Sequence, residues 1–532
     1  MKGKNKLEKI NNALMRIILV FSTIMIIWIT LLGIINYEPA LFSFNPVILV
    51  AGTIAYIVFT IFIYNKLIPK LIKYKKLPFI LIGAFIVLCI VIGQFLKLNP
   101  TWDMGTVFEA SLNLATHGEY EVNEYIKGYL YEYPNNIGTS AIYIVLFKIA
   151  KLFGITQYIE VATLFNSIVV GFTLLFMYLI AKKLFNEKIS LMVIILALMT
   201  SPFYLYSAIY YSDTLAMLLS SMLLYFAIML KDMKKSKIKI FLLISFGTFI
   251  AICYKVKITS LFVIIAYLIY IILNGKLKKS LKGMAIILIS TFCSLLIINH
   301  AINTIWLKDK EQLDNNKIPI EYWLIVGLEG NGGFDPEIAE FIHTRGSYEE
   351  KQIQGREKIK EIIKNYDLPS FIKHINSKLA YAWNDGTYYA TEKIRRSPVN
   401  KSILYDIFAL DGKYINVTKY IQQSRHMAML VLITIGCVVI VYRKKYNNKN
   451  NIFIITTLGF ILFLLIWENR SRYMIPDLPF LIILQVYGIQ LISNKLKKGG
   501  SKNEESINNH TSVQWRRVIT ISNKKIKKVN GW

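Results

Sequence analysis

The chain has 532 residues, of which 55% are hydrophobic, and its formal net charge is +29. Its mean hydropathy is +0.45, and it contains several apolar runs of about 20 residues, long enough to cross a bilayer core of about 30 Å. These features exclude an ordinary soluble enzyme and predict a polytopic α-helical membrane protein. The charge does not indicate nucleic acid, because the basic residues recur in short clusters between the apolar runs, as positive-inside topology requires.

Taken in chain order, the apolar runs predict about twelve crossings. Lysines before the first run and after the last run place both termini in the cytoplasm. The predicted crossings are residues 14–35, 47–64, 77–96, 161–180, 189–207, 214–230, 240–253, 258–273, 284–299, 427–442, 452–467 and 475–492.

One further segment, residues 136–153, is apolar enough to resemble a crossing. If it crossed, Lys182 and Lys183 would lie outside, and so would the lysines that follow residue 230, against the positive-inside rule. Lys148 and Lys151 suit an interfacial helix better. We therefore predict that this segment lies on the outer surface of the plasma membrane.

The resulting organisation has five parts. Two N-terminal helices occupy residues 1–76, and residues 77–300 form a transmembrane core that includes a first outer loop, 97–160. A small extracytoplasmic domain (301–425), C-terminal transmembrane helices (426–495) and a basic cytoplasmic tail (496–532) follow.

Several short stretches resemble the GT-C glycosyltransferases. The likeness is to the protein O-mannosyltransferase and lipid A aminoarabinose transferase branch and its Gram-positive relatives acting on cell-envelope glycans. The stretches are an aspartate after an early outward helix, YEYPNN (131–136), YYSD (210–213), EYWLIVGLEGNGG (321–333), YAWNDGTYY (381–389) and ENRSRY (468–473). Here two helices precede the one that delivers the aspartate, whereas the family pattern usually has one.

The resemblance implies a GT-C-type bundle with extracytoplasmic loops and an outer domain. It also implies transfer of a sugar from a polyprenyl-phosphate carrier in the membrane to a hydroxyl of a cell-envelope glycan, lipid or protein. Such a reaction needs a base for the hydroxyl and a cation for the departing phosphate. The extracytoplasmic face is where both are expected.

Asp103 is the candidate general base, by its match to the first-loop aspartate of the family. The alternative is a helix-cap aspartate. Asp213, in YYSD, is the second candidate catalytic residue, positioning the acceptor or tuning the first carboxylate, and a cap is again the alternative.

Three basic residues are candidates for the donor phosphate. Arg472 is favoured because arginine forms bidentate contacts, whereas Lys255 and Lys257 would supply point charges. An ion pair with Glu468 is the alternative for the arginine. Snorkelling to lipid headgroups is the alternative for the lysines.

The remaining candidates concern substrate and metal. Asp103, Glu109 and Asp213 could share a divalent ion, although Glu109 is six residues from Asp103 and so off its helical face. Histidine metal pairs, GxGxxG and P-loop patterns are absent from the sequence, so no cofactor is certain and a nucleotide-sugar donor is not supported. The predicted substrate-binding residues are Glu132, Tyr133, Asn135, Trp323 and Trp383.

Two alternative functions, a lipid-linked glycan flippase or other transporter and a polysaccharide polymerase, would also use a polytopic membrane protein. A lipid-linked glycan flippase or other transporter should place ionisable residues at mid-membrane and often shows repeated halves. Here the ionisable residues gather at the outer rim, and no repeat is visible. A membrane polysaccharide polymerase shares the topology and the outer loops. The sequence identifies no protein partner.

Overall fold

The computed structural model describes residues 2–38, 41–118, 124–234, 236–275, 277–343 and 346–497, so most of the predicted tail lies outside the described residues. Within these ranges the secondary structure is helical apart from one isolated bridge between Leu98 and Pro398. The helices are α1 (Lys2–Ile34), α2 (Pro46–Phe62), α3 (Ile68–Leu71), α4 (Leu77–Phe95), α5 (Trp102–Thr116), α6 (Glu124–Glu132), α7 (Ile137–Leu152), α8 (Tyr158–Leu184), α9 (Glu187–Leu198), α10 (Ser201–Leu205), α11 (Ser212–Asp232), α12 (Lys237–Val256), α13 (Phe262–Leu273), α14 (Leu277–Ile305), α15 (Lys310–Asn316), α16 (Ile320–Leu328), α17 (Pro336–His343), α18 (Tyr348–Asn365), α19 (Leu368–Trp383), α20 (Ala390–Arg396), α21 (Ile403–Phe408), α22 (Ile415–Tyr442), α23 (Asn451–Ile466) and α24 (Leu478–Lys497).

The described helices account for the predicted crossings. Within the described ranges, nine helices are long and apolar enough to span a membrane. One bent pair, Glu187–Leu198 with Ser201–Ala208, and two shorter apolar helices, Ile258–Leu273 and Asn451–Ile466, correspond to the other three. The prediction of a polytopic α-helical membrane protein is therefore confirmed.

The bent pair turns by 70°. Thr200 lies between its two halves with a non-helical backbone, φ −106° and ψ 88°, and Pro202 stands in the first turn of α10. A proline has no N–H to donate and its ring crowds the preceding turn, so a helix breaks there. The bend follows from this local sequence.

The ends of α4 and α8 show where the chain between them lies. Lys97, just after α4, forms an ion pair of 2.7 Å with Glu160 in the first turn of α8, and Gln94 donates to the Glu160 carbonyl at 3.3 Å. The chain thus leaves the bundle and returns to it at the same end, which we call the site end. Helix α7 is not among the candidate spans of the described residues, and the predicted position of residues 136–153 on the outer membrane surface stays a prediction.

Other contacts mark the opposite end of the bundle, where the chain turns between successive spans. Lys183 at the end of α8 pairs with Asp232 at the end of α11, at 3.0 Å. Tyr270 near the end of α13 donates to the carbonyl of Asn447, in the link between α22 and α23, at 3.0 Å. The ends of α8 and α11, and the link between α22 and α23, therefore lie at the end of the bundle opposite the site end.

The predicted outer domain, residues 301–425, is divided between two hydrophobic cores. Trp383 of α19, Tyr388 of the turn before α20 and Tyr405 of α21 belong to the core of the bundle. The C-terminal boundary at residue 425 falls inside α22, which begins at Ile415. A separate small core is formed by Ile318, Tyr322, Ile325, Val326, Ile338 and Ile342.

The alternation can be tested by cysteine labelling. Thr156 and Asn447 are both exposed, the first at the site end and the second at the opposite end. In a Cys293→Ser background, chosen because the other three cysteines are buried, we expect a membrane-impermeant thiol reagent to label Thr156→Cys on intact cells. Asn447→Cys should react only after permeabilisation. Labelling of both variants from one side would contradict the arrangement.

Candidate functional site

Asp103 lies in the first turn of α5, at the site end. Its side chain is 46% exposed and its Oδ2 lies 3.7 Å from Nη2 of Arg472. The residue that caps α5 is Thr101, which makes no side-chain cap hydrogen bond. Asp103 is thus an accessible carboxylate beside a cation. It is not the helix cap that the alternative interpretation predicted.

Trp102 gives α5 an unusual start. It has a left-handed backbone, φ +47°, which is uncommon for a bulky residue and indicates a constraint imposed by the surroundings. Gly105, one turn later, is so close to Pro100 that an added Cβ would lie 2.5 Å from the Pro100 carbonyl carbon. The chain just before α5 is also held by Tyr210, whose hydroxyl donates to the carbonyl of Leu98 at 3.0 Å.

Arg472 lies in the short 3₁₀ turn Ser471–Met474 that follows α23. Its side chain is 7% exposed. The rings of Trp102, Tyr211 and Tyr473 surround the guanidinium, with centroids 5.1, 5.8 and 5.0 Å from Cζ. Ring faces attract a cation, but more weakly than a carboxylate in hydrogen-bonding contact does.

The alternative pairing of Arg472 with Glu468 is not observed. Glu468 accepts a hydrogen bond of 2.7 Å from the hydroxyl of Tyr473, and that hydroxyl accepts one of 3.3 Å from Nη2 of Arg472. The tyrosine therefore stands between the two charges. Burial, with the charge of Glu468 next, raises the pKa of Tyr473, so its hydroxyl stays protonated.

Asp213 and Lys257 form a buried ion pair beside this group. Asp213, in the first turn of α11, is 1% exposed, and Lys257 is 17% exposed. The Lys257 ammonium also lies 3.4 Å from the hydroxyl of Ser212 and 5.5 Å from the ring centroid of Tyr473. The Asp213 side chain does not cap the helix, because the cap residue is Tyr211.

Several N–H groups around Arg472 are buried and lack an acceptor within the described part of the chain. They are Nε and Nη1 of Arg472, Nε of Arg470 and Nε1 of Trp102. We call Trp102, Arg470 and Arg472 the donor cluster. A buried donor without a partner costs about 1–3 kcal/mol, so an acceptor that met these N–H groups would recover that cost.

Lys393, on α20, adjoins the donor cluster and was not a sequence candidate. It is 1% exposed, and its ammonium nitrogen lies 3.3 Å from the centroid of the Trp102 ring. Burial, together with the charges of Arg472, Arg396 and Arg470, lowers its pKa to about 5. In the sequence it stands in the charged stretch TEKIRR, which looks like a solvated helix, and only the tertiary fold reveals its burial.

The turn before α20 is tied to the Arg472 turn by Asp385. This buried carboxylate accepts hydrogen bonds from the N–H groups of Thr387 and Tyr389, at 2.8 and 2.7 Å, and from the hydroxyl of Ser471, at 2.7 Å. Tyr388 and Tyr389 have left-handed backbones, φ 53° and 64°. The Asp385 carboxylate thus fixes a strained turn against the residue that precedes Arg472.

The predicted substrate-binding aromatics have different positions. Trp323 is partly exposed and stacks on Trp467, with centroids 5.6 Å apart and planes at 8°. Tyr133 meets Trp323 edge to face at 6.5 Å. Trp383 is 2% exposed and its carbonyl accepts from His426 at 2.6 Å. Trp383 is packed in the bundle core, away from the partly exposed rings, so its predicted role in substrate binding gains no support from its position.

The other candidates lie at the edge or away from the site. Asn135 is exposed and Glu132 is half-buried, with a pKa raised by burial against the charge of Lys351. The Lys255 ammonium lies over the ring of Tyr254, 6.0 Å from its centroid. No described contact links Lys255 to Arg472, so the phosphate role predicted for Lys255 gains no support.

The predicted metal set is not assembled. Among the described residues, no group of three or more His, Cys, Asp or Glu side chains is close enough to hold a metal ion. Asp213, one of the three residues considered, is paired with Lys257. Dependence on a divalent metal stays a prediction from the sequence.

Comparisons with known proteins show the family of this chain and a likeness to a solved membrane protein. A family model described as "Conserved hypothetical integral membrane protein" matches residues 3–491. No curated protein sequence matches the chain. The crystal structure of ArnT from Cupriavidus metallidurans bound to undecaprenyl phosphate is similar with a TM-score of 0.33 and 11% identity, over 78% of each chain.

The Asp213–Lys257 pair gives a prediction for stability. Lys257→Met leaves the Asp213 carboxylate buried and unpaired, and breaking a buried pair costs about 3–5 kcal/mol. We expect a clearly lower Tm in detergent. The double variant Asp213→Asn/Lys257→Met should recover most of the loss, because the uncompensated charge is gone. Equal Tm values for Lys257→Met and the wild type would contradict the pairing.

Proposed function

We propose that this chain, which belongs to the family of conserved hypothetical integral membrane proteins, is a membrane glycosyltransferase. It would move a sugar from a polyprenyl-phosphate carrier to a hydroxyl of a cell-envelope acceptor on the outer face of the membrane. The observation that carries the proposal is the donor cluster of buried, unpaired N–H groups beside the half-exposed carboxylate of Asp103.

The donor cluster suits a phosphate. Asp103, at 3.7 Å from Arg472, is farther away than the roughly 2.7–2.9 Å of a charge-assisted hydrogen bond. Nε and Nη1 of Arg472 remain unpaired. A planar guanidinium with free donors can bind two phosphate oxygens at once, and burial strengthens the attraction because water does not screen it.

Asp103 suits the base. An acceptor hydroxyl is a poor nucleophile at neutral pH, and a carboxylate at hydrogen-bonding distance can take its proton as the bond to the sugar forms. Asp103 is exposed enough to meet an acceptor, whereas Asp213 is buried and paired with Lys257. The geometry therefore favours Asp103 as the base and gives Asp213 the task of fixing Lys257 beside Tyr473.

The sugar and its acceptor are supported by less direct observations. That the transferred group is a sugar is inferred from the sequence resemblance to GT-C glycosyltransferases. On the acceptor side, the partly exposed rings of Tyr133, Trp323 and Trp467 form an aromatic surface connected to Glu468 and Tyr473 through the residues after α23. Aromatic surfaces of this kind can pack against the apolar face of a sugar, because the ring face is apolar while the edges of both groups remain free for polar contacts.

Asp103→Asn tests the base. Asparagine keeps the size of the side chain but cannot accept the proton, so transfer should slow by at least about a hundredfold while donor binding persists. The measurement is sugar transfer by the reconstituted protein with candidate polyprenyl-phosphate sugars. Glu109→Gln, on the same helix, is the matched control and should keep normal turnover. Ordinary turnover by a folded Asp103→Asn protein would remove Asp103 from the mechanism.

Arg472→Lys tests the phosphate contact. A lysine keeps the charge but loses the bidentate fork, so we expect donor affinity to fall by about tenfold or more, equal to about 1.4 kcal/mol. Binding of the polyprenyl-phosphate donor to the purified protein measures this. Arg356→Lys, an exposed arginine paired with Glu321, is the control. Unchanged donor affinity in Arg472→Lys would exclude a bidentate contact.

A further inference from the structure

The position of Lys393 is unusual for a lysine. Its side chain is 1% exposed, and its ammonium nitrogen lies against the face of Trp102, at 3.3 Å from the ring centroid. The opposite charge closest to it in sequence, Glu392, is already engaged, because Arg395 and Arg396 bind that carboxylate at 2.9 and 3.3 Å. Lys393 is thus a buried amine in contact with the donor cluster.

The charges that face Lys393 are mostly of its own sign. Arg472 and Arg470 belong to the turn after α23, Arg396 lies one turn along α20, and Asp103 on α5 is the carboxylate that opposes them. Loss of water and like charges both disfavour a charged lysine, which agrees with the lowering of its pKa to about 5. Burial and the three neighbouring arginines thus favour the uncharged form of the Lys393 amine.

We propose that Lys393 takes up one proton when a phosphate monoester enters the donor cluster, so that anion binding at this site is coupled to proton uptake. The proposal rests on the proposed function, since it requires the phosphate to bind beside Arg472. A phosphate monoester carries about 1.5 to 2 negative charges at pH 7, because its second pKa is about 6. Those charges outweigh the repulsion by the arginines and favour the ammonium form.

The coupling would match the charge change of the proposed reaction. The donor, a phosphodiester, carries one negative charge. On transfer, the acceptor O–H loses its proton to Asp103, a bond forms between the acceptor oxygen and the sugar carbon, and the bond from that carbon to the phosphate oxygen breaks. The departing monoester carries one more negative charge than the donor. A proton passed from Asp103 to Lys393 would balance that charge and restore the base.

Isothermal titration calorimetry with farnesyl phosphate tests the coupling. The full-length protein in detergent is titrated at about pH 8, where the ligand is already a dianion, in buffers of different ionisation enthalpy. We expect uptake of about one proton per bound ligand by the wild type and of none by Lys393→Met, which keeps the apolar contact with Trp102. Inorganic phosphate, titrated in parallel, should also cause uptake, at lower affinity if the lipid is the natural source.

Two controls separate Lys393 from other titratable groups. Asp103→Asn should retain the proton uptake, because the proton goes to the amine and not to the carboxylate. Lys401→Met, which replaces a lysine that is 66% exposed, should behave like the wild type. Loss of uptake in Asp103→Asn, with uptake retained in Lys393→Met, would assign the proton to the carboxylate and overturn the proposal.

The pH dependence offers a second readout that needs no variant. Because binding takes up a proton, raising the pH must weaken it, by about tenfold per pH unit while one full proton is taken up. Farnesyl phosphate that binds the wild type with no proton uptake and no such slope contradicts this inference alone. Failure of the wild type to bind farnesyl phosphate at all contradicts the proposed function as well.

Discussion

The desolvated guanidinium of Arg472 is the constraint on which the site end of this protein depends. A buried cation needs compensation, and three ring faces together with one carboxylate at 3.7 Å provide it only in part. The contributing residues come from the start of α5, from the segment before α11 and from the turn after α23. Each of these segments has to be held in place for the guanidinium to remain buried, so the folding of the site end and the binding of an anion share one electrostatic requirement.

Two buried polar groups hold the turn that carries Arg472. Asp385 joins it to the strained turn before α20 through Ser471. On the other side, the Lys378 ammonium donates to the carbonyls of Gly327 and Trp467, and burial lowers the pKa of Lys378 to about 7. Because both groups lie inside the protein, their hydrogen bonds are not weakened by competing water. The donor cluster is therefore built on fixed backbone, which favours binding without a large reorganisation.

The sequence was sufficient for the crossings and for Asp103 and Arg472 as candidates, because apolar length, lysine clusters and a local resemblance are properties of short segments. It could not separate Trp323, which is partly exposed, from Trp383, which is buried, since both stand in aromatic stretches of similar composition. Nor could it identify Lys393, whose burial depends on Trp102 and on arginines far away in the chain. Contacts between distant segments carry that information.

The first two helices, which the family resemblance left unexplained, acquire a structural role from their packing on α22. Helices in lipid gain little from the hydrophobic effect and associate through close packing and hydrogen bonds. A Cβ at Gly33 or at Gly52 would overlap Met427 or Ser424 of α22, so both glycines allow close approach. Beyond α1, the carbonyl of Tyr37 accepts a hydrogen bond of 3.2 Å from Asn384, the residue just before Asp385. Helices α1 and α2 therefore share the bundle core with α22, and the chain just after α1 contacts the turn that positions Arg472.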